Sequence, residues 1–272
     1  MTRGRRPANT GIIAQAALGA GLGWAGQRVL MAVTAQPARP SGAARPSGAA
    51  RRWERTNYRG RTVSLLSGPA LALAAAASAD LPLGAALVAG LGSAAVGAFD
   101  DAAQDRSAKG FRGHAGELRQ GRLTSGGSKV LGIGAAGLAS AALLGGRGRD
   151  MAVGGAVVAA SANLLNLLDL RPGRALKAGA TAAFVLGQPG PAAAAIALLP
   201  ADLSERTMLG DAGANAFGAV LGLALVRRYP HRRLVALAVL TAATAASEVV
   251  SYSTVIDAVP PLRWMDRAGR RP

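Results

Sequence analysis

The residues best suited to chemistry in this chain are a few acids that stand at the ends of long apolar runs. The sequence holds only 14 Asp plus Glu in 272 residues, so the position of each acid is informative. Asp100 and Asp101 directly follow the apolar run that ends at Phe99. Adjacent helical residues point about 100° apart, so the two carboxylates need not share one ligand. Taken alone, such a pair is explained more simply as a solvated helix end.

A basic, glycine-rich stretch follows the aspartate pair. It runs from Lys109 to His114, and Lys129 then opens the next apolar run. These side chains suit a phosphate-bearing ligand. A lysine at such a position also often extends its ammonium to the membrane boundary, which is the structural alternative for Lys129.

Polar residues recur every three positions in the second cluster, at Asn163, Asn166 and Asp169. This spacing places them on one broad face of a helix. A Pro-Gly pair then ends the helix and leaves Arg171 and Arg174 at its boundary. Polar groups on a membrane helix are costly unless they meet partners or a water-filled cleft. A binding pocket and a structural polar contact between helices therefore both remain open.

The third cluster, MLGDAGAN, contains Asp211 and Asn215 and precedes another apolar run. One interpretation is that Asp211 caps the following helix. The other is that Asp211 is an oxygen ligand for Mg²⁺ beside a helix N-terminus that can face phosphate. If the apolar runs cross a membrane with the orientation derived below, all three clusters lie on the same face of it. Together they suit a diphosphate–Mg²⁺ substrate, with carboxylates for the metal and cations for the phosphates.

The composition indicates that apolar helices position these clusters. Half of the residues are apolar, 37 are glycine and only 17% are charged, although the formal net charge is +17. Long apolar stretches separate the charges, which is typical of a membrane protein rather than a nucleic-acid binder, so no nucleic-acid partner is expected. There are no cysteines and only two histidines. Disulfide scaffolds, iron–sulfur clusters and thiol nucleophiles are therefore excluded.

The apolar runs predict an all-α, polytopic integral membrane helix bundle with about nine transmembrane helices in a single domain, 1–272. The candidates are about Gly11–Ala35, Val63–Ala79, Pro82–Phe99, Gly126–Gly146, Met151–Leu168, Ala175–Gly187, Pro191–Leu203, Gly213–Val226 and Leu234–Val250. The two between Ala175 and Leu203 are short, and a re-entrant hairpin is an alternative there.

The basic residues predict the orientation. With the N-terminus outside and the C-terminus cytoplasmic, 20 of the 31 Lys and Arg lie in the inner segments and 9 in the outer ones. The inner segments include a low-complexity first loop (36–62), a catalytic loop (100–125) and a tail (253–272). The outer cluster Arg227–Arg233 is an irregularity, and a signal peptide at the start of the chain is a weaker alternative.

Four motifs occur in an order that resembles the polyprenyl-phosphate N-acetylhexosamine-1-phosphate transferase superfamily. They are FDD (Phe99–Asp101), SKVLG around Lys129, NLLNLLD (Asn163–Asp169) and MLGDAGAN (Met208–Asn215). The superfamily includes the phospho-MurNAc-pentapeptide translocase and the UDP-GlcNAc:undecaprenyl-phosphate transferases. The resemblance covers most of the chain, from Trp53 to Arg270.

The resemblance implies a Mg²⁺-dependent reaction in the cell membrane, with the active site on the cytoplasmic face. A polyprenyl (undecaprenyl or decaprenyl) phosphate attacks the β-phosphate of a UDP-linked amino sugar and releases UMP, in cell-wall or surface-glycan synthesis. Asp211 would bind Mg²⁺, and Asp100 and Asp101 would position or deprotonate the lipid phosphate. Lys129 would contact phosphate, while the Asn163–Asp169 face would line the nucleotide–sugar pocket.

The substrate-binding set expected around these aspartates is wider. It comprises Lys109, His114, Lys129, Asn163, Asn166, Asp169, Arg171, Arg174 and Asn215.

The chain also departs from the family pattern. After the asparagine motif it reads DLRPGRA, with arginines where many members have a second acidic residue, and it lacks a histidine-rich loop. A degenerate, non-catalytic membrane scaffold of the same fold is therefore the alternative function. The closely spaced aspartates of a CDP-alcohol phosphatidyltransferase and the paired half-repeats of a transporter are not found. The oligomeric state is open, and a homodimer is compatible with it.

Overall fold

A computed structural model describes residues 8–34, 52–103 and 125–271, which fold almost entirely into helices. The helices are α1 (Ala8–Thr34), α2 (Ser67–Ser78), α3 (Leu83–Ala103), α4 (Ser125–Leu143), α5 (Gly148–Leu168), α6 (Arg174–Val185), α7 (Pro189–Leu203), α8 (Gly210–Arg228), α9 (Arg233–Val249), α10 (Tyr252–Ala258) and α11 (Pro260–Arg267), with a 3-10 turn at Pro230–Arg232. The predicted all-α class is confirmed, and each of the nine candidate runs corresponds to one of α1–α9.

Two segments expected to be loop or tail contain additional structure. The expected loop over 36–62 leads into a hairpin of β1 (Glu54–Thr56) and β2 (Thr62–Ser64), antiparallel with Arg55 opposite Val63. Ser64 also bridges to Thr207, which fixes the hairpin to the segment that precedes α8. The expected tail over 253–272 carries α10 and α11. Residues 36–51 and 104–124 of the expected loops lie outside the described residues.

Helix α8 is the centre of the bundle and packs against α5, α3 and α2. Fifteen of its 19 residues are buried, from Gly210 to Val226. A helix that is apolar on all sides is stable only when other helices surround it. The chain achieves this with Ala, Gly, Val and Leu and only one aromatic residue, Phe217, in α8.

Glycines allow the surrounding helices to approach the first turn of α8 closely. A Cβ at Gly97 of α3 would overlap the Asp211 carbonyl, and a Cβ at Gly213 would lie 2.5 Å from the Gly68 Cα of α2. Contacts of this kind depend on small residues, since helices in an apolar environment associate by close packing. These glycines therefore set the distance between the aspartates of α3 and the start of α8.

The connections between helices gather at two opposite ends of the bundle. At one end, Arg55 of the hairpin contacts Asp101 at the end of α3, and the Gly173 amide before α6 contacts Asp202 at the end of α7. At the other end, the Asp80 amide donates to the Gln188 side chain, 2.8 Å away. Consecutive helices therefore alternate in direction, and the sequence clusters meet at the first of these ends.

Two helical segments in the described parts of the chain are long and apolar enough to cross a membrane. They are Leu83–Ala102 and Gly148–Leu168, with mean hydropathies of 1.5 and 1.7. A third span results if the 3-10 turn and α9 (Pro230–Val249) are counted with α10, although these two are bent by 91°. The shorter apolar helices Ser67–Ser78, Gly127–Leu143 and Pro189–Leu203 have fewer residues than a straight crossing of about 20 residues requires.

Replacing Gly97 with alanine should destabilise the protein, because the added methyl would overlap the Asp211 backbone. We expect a loss of about 1–3 kcal/mol, the usual cost of overpacking, and a lower thermal midpoint in detergent. Gly134→Ala in α4 is the matched control, since a Cβ there meets nothing within 4 Å. Equal midpoints for the two variants would contradict the close approach of α3 to α8.

Candidate active site

The first turn of α8 begins at Gly210, whose backbone requires glycine. Its φ is +61°, and a Cβ there would lie 3.0 Å from the Asp101 Oδ2 and 2.9 Å from the Leu65 side chain. The preceding Leu209 cannot cap the helix with its side chain. The backbone N–H groups at the N-terminus of α8 therefore attract negative charge, which carboxylates from other helices supply.

Asp101 of α3 supplies part of that negative charge. Its Oδ2 accepts a hydrogen bond from the Ala212 amide at 3.1 Å, while its Oδ1 lies 3.1 Å from the Arg55 guanidinium of β1. Arg55 also donates to the Asp101 carbonyl at 2.6 Å. The carboxylate that caps α8 thus comes from α3, and Asp211, which the sequence offered as the cap, is free for other contacts.

Asp100 and Asp211 face each other across Lys129. The Lys129 ammonium lies 3.2 Å from the Asp100 Oδ2 and 2.6 Å from the Asp211 Oδ2. The lysine side chain is 16% exposed, so it is held between the two carboxylates rather than extended to a membrane boundary. The three residues come from α3, α4 and α8, which explains why sequence positions as distant as 100 and 211 meet.

Asn166 and Asp169 approach the same place from the end of α5. The Asn166 amide lies within hydrogen-bonding range of the Asp211 carboxylate. Asp169 is next to the Gly210 amide, and its buried Oδ2 finds no hydrogen-bond partner among the described residues. Burial, followed by the negative charges of Asp202 and Asp211, raises the pKa of Asp169 well above its usual value. A cation beside this carboxyl would favour its charged form.

Asp202 of α7 belongs to the same region and was missed by the sequence analysis. Its Oδ2 accepts a hydrogen bond from the Gly173 amide at 2.5 Å, while its Oδ1 is buried without a partner among the described residues. Asp169, Asp202 and Arg171 line one cavity of about 320 Å³. The available signal for Asp202 was an acid at the end of an apolar run, as for Asp100 and Asp101.

Asn163 and Asn215 both make structural contacts rather than contacts with the carboxylates at the start of α8. The Asn163 amide donates to Thr244 of α9 at 3.4 Å, a polar contact between helices of the structural kind left open above. Asn215 is fully buried, and its amide donates to the Asp211 carbonyl at 2.7 Å. Its Oδ1 finds no partner in the described parts of the chain. Asn215 therefore supports the backbone at Asp211.

The two arginines of the DLRPGRA segment have different partners. Arg174 forms a paired contact with Asp266 of α11, at 2.8 and 3.0 Å, and also donates to Ser253. Arg171 instead lies over the Tyr58 ring, 4.2 Å from its centroid. Arg174 thus anchors the C-terminal helices, whereas Arg171 stays at the cavity. Two further predicted ligand residues, Lys109 and His114, lie outside the described residues.

The carboxylates are suited to Mg²⁺ only in combination with a substrate. Among the residues that the structure describes, no three Asp, Glu or His side chains form a metal-ligand cluster. However, Mg²⁺ is commonly held by one or two carboxylates together with substrate phosphates. Asp100 and Asp211 provide such a pair, and the partnerless Oδ2 of Asp169 is a further oxygen nearby. The donor set therefore fits a magnesium ion that arrives with phosphate.

Comparisons with known proteins add no assignment: no family model, curated protein or solved structure matches this chain. The function must therefore be inferred from the site and from the sequence motifs.

Lys129→Met should destabilise the protein, because it leaves Asp100 and Asp211 facing each other without a cation. Loss of the partner of a partly buried charge costs about 1–3 kcal/mol, measurable as a lower thermal midpoint in detergent. Adding Asp100→Asn should recover part of this loss, so that the double variant is more stable than the two single effects predict. Strictly additive effects would contradict the ion-pair geometry.

The docking of α11 should weaken in acid. Burial opposes the charged form of Asp266, but hydrogen bonds and charges from Arg174 and Arg270 lower its pKa below the usual 3.8. A lowered pKa stabilises the docked helices above about pH 4, and this contribution is lost as the pH falls through the folded value. The protection of residues 260–271 from hydrogen exchange, relative to the intrinsic rate at the same pH, should therefore fall below pH 4.

Asp266→Asn should show low protection of this segment already at pH 7, with little further loss of protection in acid. Asp257→Asn is the control, since its carboxylate is half-exposed and pairs with Arg267 at the surface. Wild-type protection at pH 3 equal to that at pH 7 would contradict this assignment.

Proposed function

We propose that the protein is a membrane phosphoglycosyl transferase that moves a sugar-1-phosphate from a UDP-amino sugar to a polyprenyl phosphate. A phosphate oxygen of the lipid carrier forms a new bond to the β-phosphorus of the UDP-sugar. The bond between that phosphorus and the oxygen bridging to the α-phosphate breaks, and UMP leaves with the electron pair. The products are a lipid-diphosphate sugar and UMP.

The observation that carries this proposal is the meeting of Asp100, Asp101, Asp211 and Lys129 at the N-terminus of α8. Lys129 contacts Asp100 and Asp211, and Asp101 contacts the first turn of α8 itself. Acids and a cation gathered at the N-terminus of a helix suit phosphoryl transfer, in which positioning and charge neutralisation dominate. The order of the sequence motifs, which resembles the superfamily named above, independently favours the same chemistry.

Each residue has a role within this proposal. Lys129 moves from its carboxylate partners to the incoming phosphates, which offsets charge on the transferred group. Asp100 orients the carrier phosphate, and Asp101 keeps the start of α8 in place through the Ala212 amide. A phosphate near neutral pH needs little help to lose its proton, so we assign Asp100 a positioning role rather than that of a strong base.

Asp211, with Asp100, would hold the magnesium ion. When bound, Mg²⁺ would supply positive charge that offsets the negative charge of the phosphates. Asn166 lies beside Asp211 and would orient its carboxylate. Asp169 and Arg171 line the adjoining cavity and would contact the nucleotide–sugar.

In the proposed arrangement all nine helices α1–α9 cross the cell membrane, with the N-terminus outside and the site on the cytoplasmic face. The alternating helix directions support it, as does the position of Arg55, Arg174 and the other basic residues of the described inner segments at the aspartate end. The shorter helices would cross where the bundle thins the bilayer.

A non-catalytic scaffold of the same fold is the second candidate, and a specific observation favours it. Arg174 is bound to Asp266, and Lys129 already pairs with two carboxylates, so both groups also make sense as structural ion pairs. Turnover separates the two candidates, since a scaffold would release no UMP.

Membranes that contain the protein should release UMP from a UDP-amino sugar when polyprenyl phosphate and Mg²⁺ are present. EDTA should abolish this release, and Asp211→Asn should reduce it at least about a hundredfold, because a metal ligand is lost. Asp150→Asn is the matched control, since Asp150 lies at the other end of α5 with its side chain 75% exposed. It should retain wild-type turnover.

Two outcomes would contradict the proposal. Unchanged turnover in Asp211→Asn would remove the metal assignment. An absence of UMP from a panel of UDP-sugars, with folded wild-type protein, would favour the scaffold.

A further inference from the structure

A second cavity, of about 430 Å³, lies between the hairpin, the start of α6 and the C-terminal helices. It is lined by an unusual concentration of arginines, namely Arg59, Arg171, Arg174, Arg267, Arg270 and Arg271. Asp257 and Asp266 are its acidic lining residues. Glu205 pairs with Arg59 at 3.2 Å, so six guanidinium groups stand against three carboxylates. The resulting net charge of about +3 in one small volume strongly favours an anionic ligand.

Most of these arginines make ion pairs or hydrogen bonds within the protein. These contacts fix the walls of the cavity. Arg174 and Arg270 share the Asp266 carboxylate, and Arg270 also donates to the Pro172 carbonyl at 2.8 Å. Arg267 pairs with Asp257. Neither Arg171 nor Arg271 has a carboxylate partner among the residues that the structure describes. Two of the excess positive charges therefore belong to these two side chains, and the third belongs to Arg174 and Arg270, which share one carboxylate.

Arg171 is held in a way that leaves its donors available. Its guanidinium stacks on the Tyr58 ring, 4.2 Å from the centroid. Stacking occupies the face of the guanidinium, whereas its N–H groups project from the edge in the plane. An edge of this kind forms paired hydrogen bonds with two oxygens of one phosphate group. Arg171 is thus oriented before any ligand arrives.

The arginine cavity is distinct from the aspartate cluster but adjoins it. Tyr58 and Arg171 line both this cavity and the one that contains Asp169. However, Asp100, Asp211 and Lys129 do not line the arginine cavity. A ligand held by Arg171 and Arg271 would therefore sit beside the proposed reaction site rather than in it.

We infer that the arginine cavity is a phosphate-binding site, which takes a phosphate or diphosphate group from an anionic lipid headgroup or from a soluble phosphate compound. Such a ligand would contact the hairpin, the α5–α6 connection and α11 and would link these three elements. Arg171 is shared with the proposed nucleotide–sugar pocket, but phosphate binding in the arginine cavity needs neither Mg²⁺ nor Asp100 and Asp211.

The test measures pyrophosphate binding to the full-length protein in neutral detergent by titration calorimetry, with EDTA present. EDTA removes any binding that a metal at the aspartates would mediate. The double variant Arg171→Gln, Arg271→Gln should weaken binding at least about tenfold, since it removes two charged donors. Arg147→Gln, Arg149→Gln is the control, because it removes the same charge from exposed positions at the other end of the bundle.

Arg171→Lys provides a variant that keeps the charge and the fold. It should still weaken binding, since lysine cannot form the paired in-plane hydrogen bonds of arginine. Wild-type protein that binds no pyrophosphate, or a double variant that binds as tightly as the control, would overturn the proposal. UMP release is measured separately, so its failure would not affect this result.

Native mass spectrometry of protein from mixed phosphatidylcholine–phosphatidylglycerol micelles shows whether the bound phosphate belongs to a lipid headgroup or to a soluble compound. Phosphatidylglycerol retained by the wild type and the control, but lost from the Arg171→Gln, Arg271→Gln variant, would identify a lipid headgroup. Equal retention by all three, together with the tenfold loss of pyrophosphate binding, would identify a soluble phosphate compound.

Discussion

Three carboxylates, those of Asp100, Asp101 and Asp211, meet at the N-terminus of α8, where each needs a compensating partner. Carboxylates removed from water in an apolar bundle are stable only when each meets a donor or a cation. Here the Ala212 amide and Arg55 compensate Asp101, while Lys129 compensates Asp100 and Asp211. These partners come from the hairpin, α3, α4 and α8, so the elements that are distant in the sequence are held together by one electrostatic requirement.

Close packing of small residues allows that requirement to be met. Glycines at the contacts of α8 with α2 and α3 permit backbone approach, and Gly210 allows the chain to turn into α8 against Asp101. A larger residue at any of these positions would move the helix N-terminus away from the carboxylates. The apolar, glycine-rich composition therefore shapes the site as well as the packing of the bundle. It also accounts for the scarcity of aromatic residues in α8.

Much of this arrangement could be predicted from the sequence, because charge clusters between apolar runs mark helix ends directly. The alternation of helix directions then brings Asp100, Asp169 and Asp211 to one end. Contacts that depend on how each helix is rotated about its own axis could not be predicted. Asn163 shares a nominal face with Asn166, yet it turns to Thr244, and Arg174 is bound by an aspartate 92 positions away. The hairpin was also missed, since strands of three residues leave almost no periodic signal.

The fate of the β-phosphate tests the proposed function most directly. Membranes containing the protein would be incubated with polyprenyl phosphate, Mg²⁺ and a panel of UDP-amino sugars labelled with ³²P in the β-phosphate. The proposal predicts that the label moves into the organic phase with the lipid while the released UMP is unlabelled, since the bond between the two phosphates is the one that breaks. Label that stays in the aqueous phase for every sugar would contradict it.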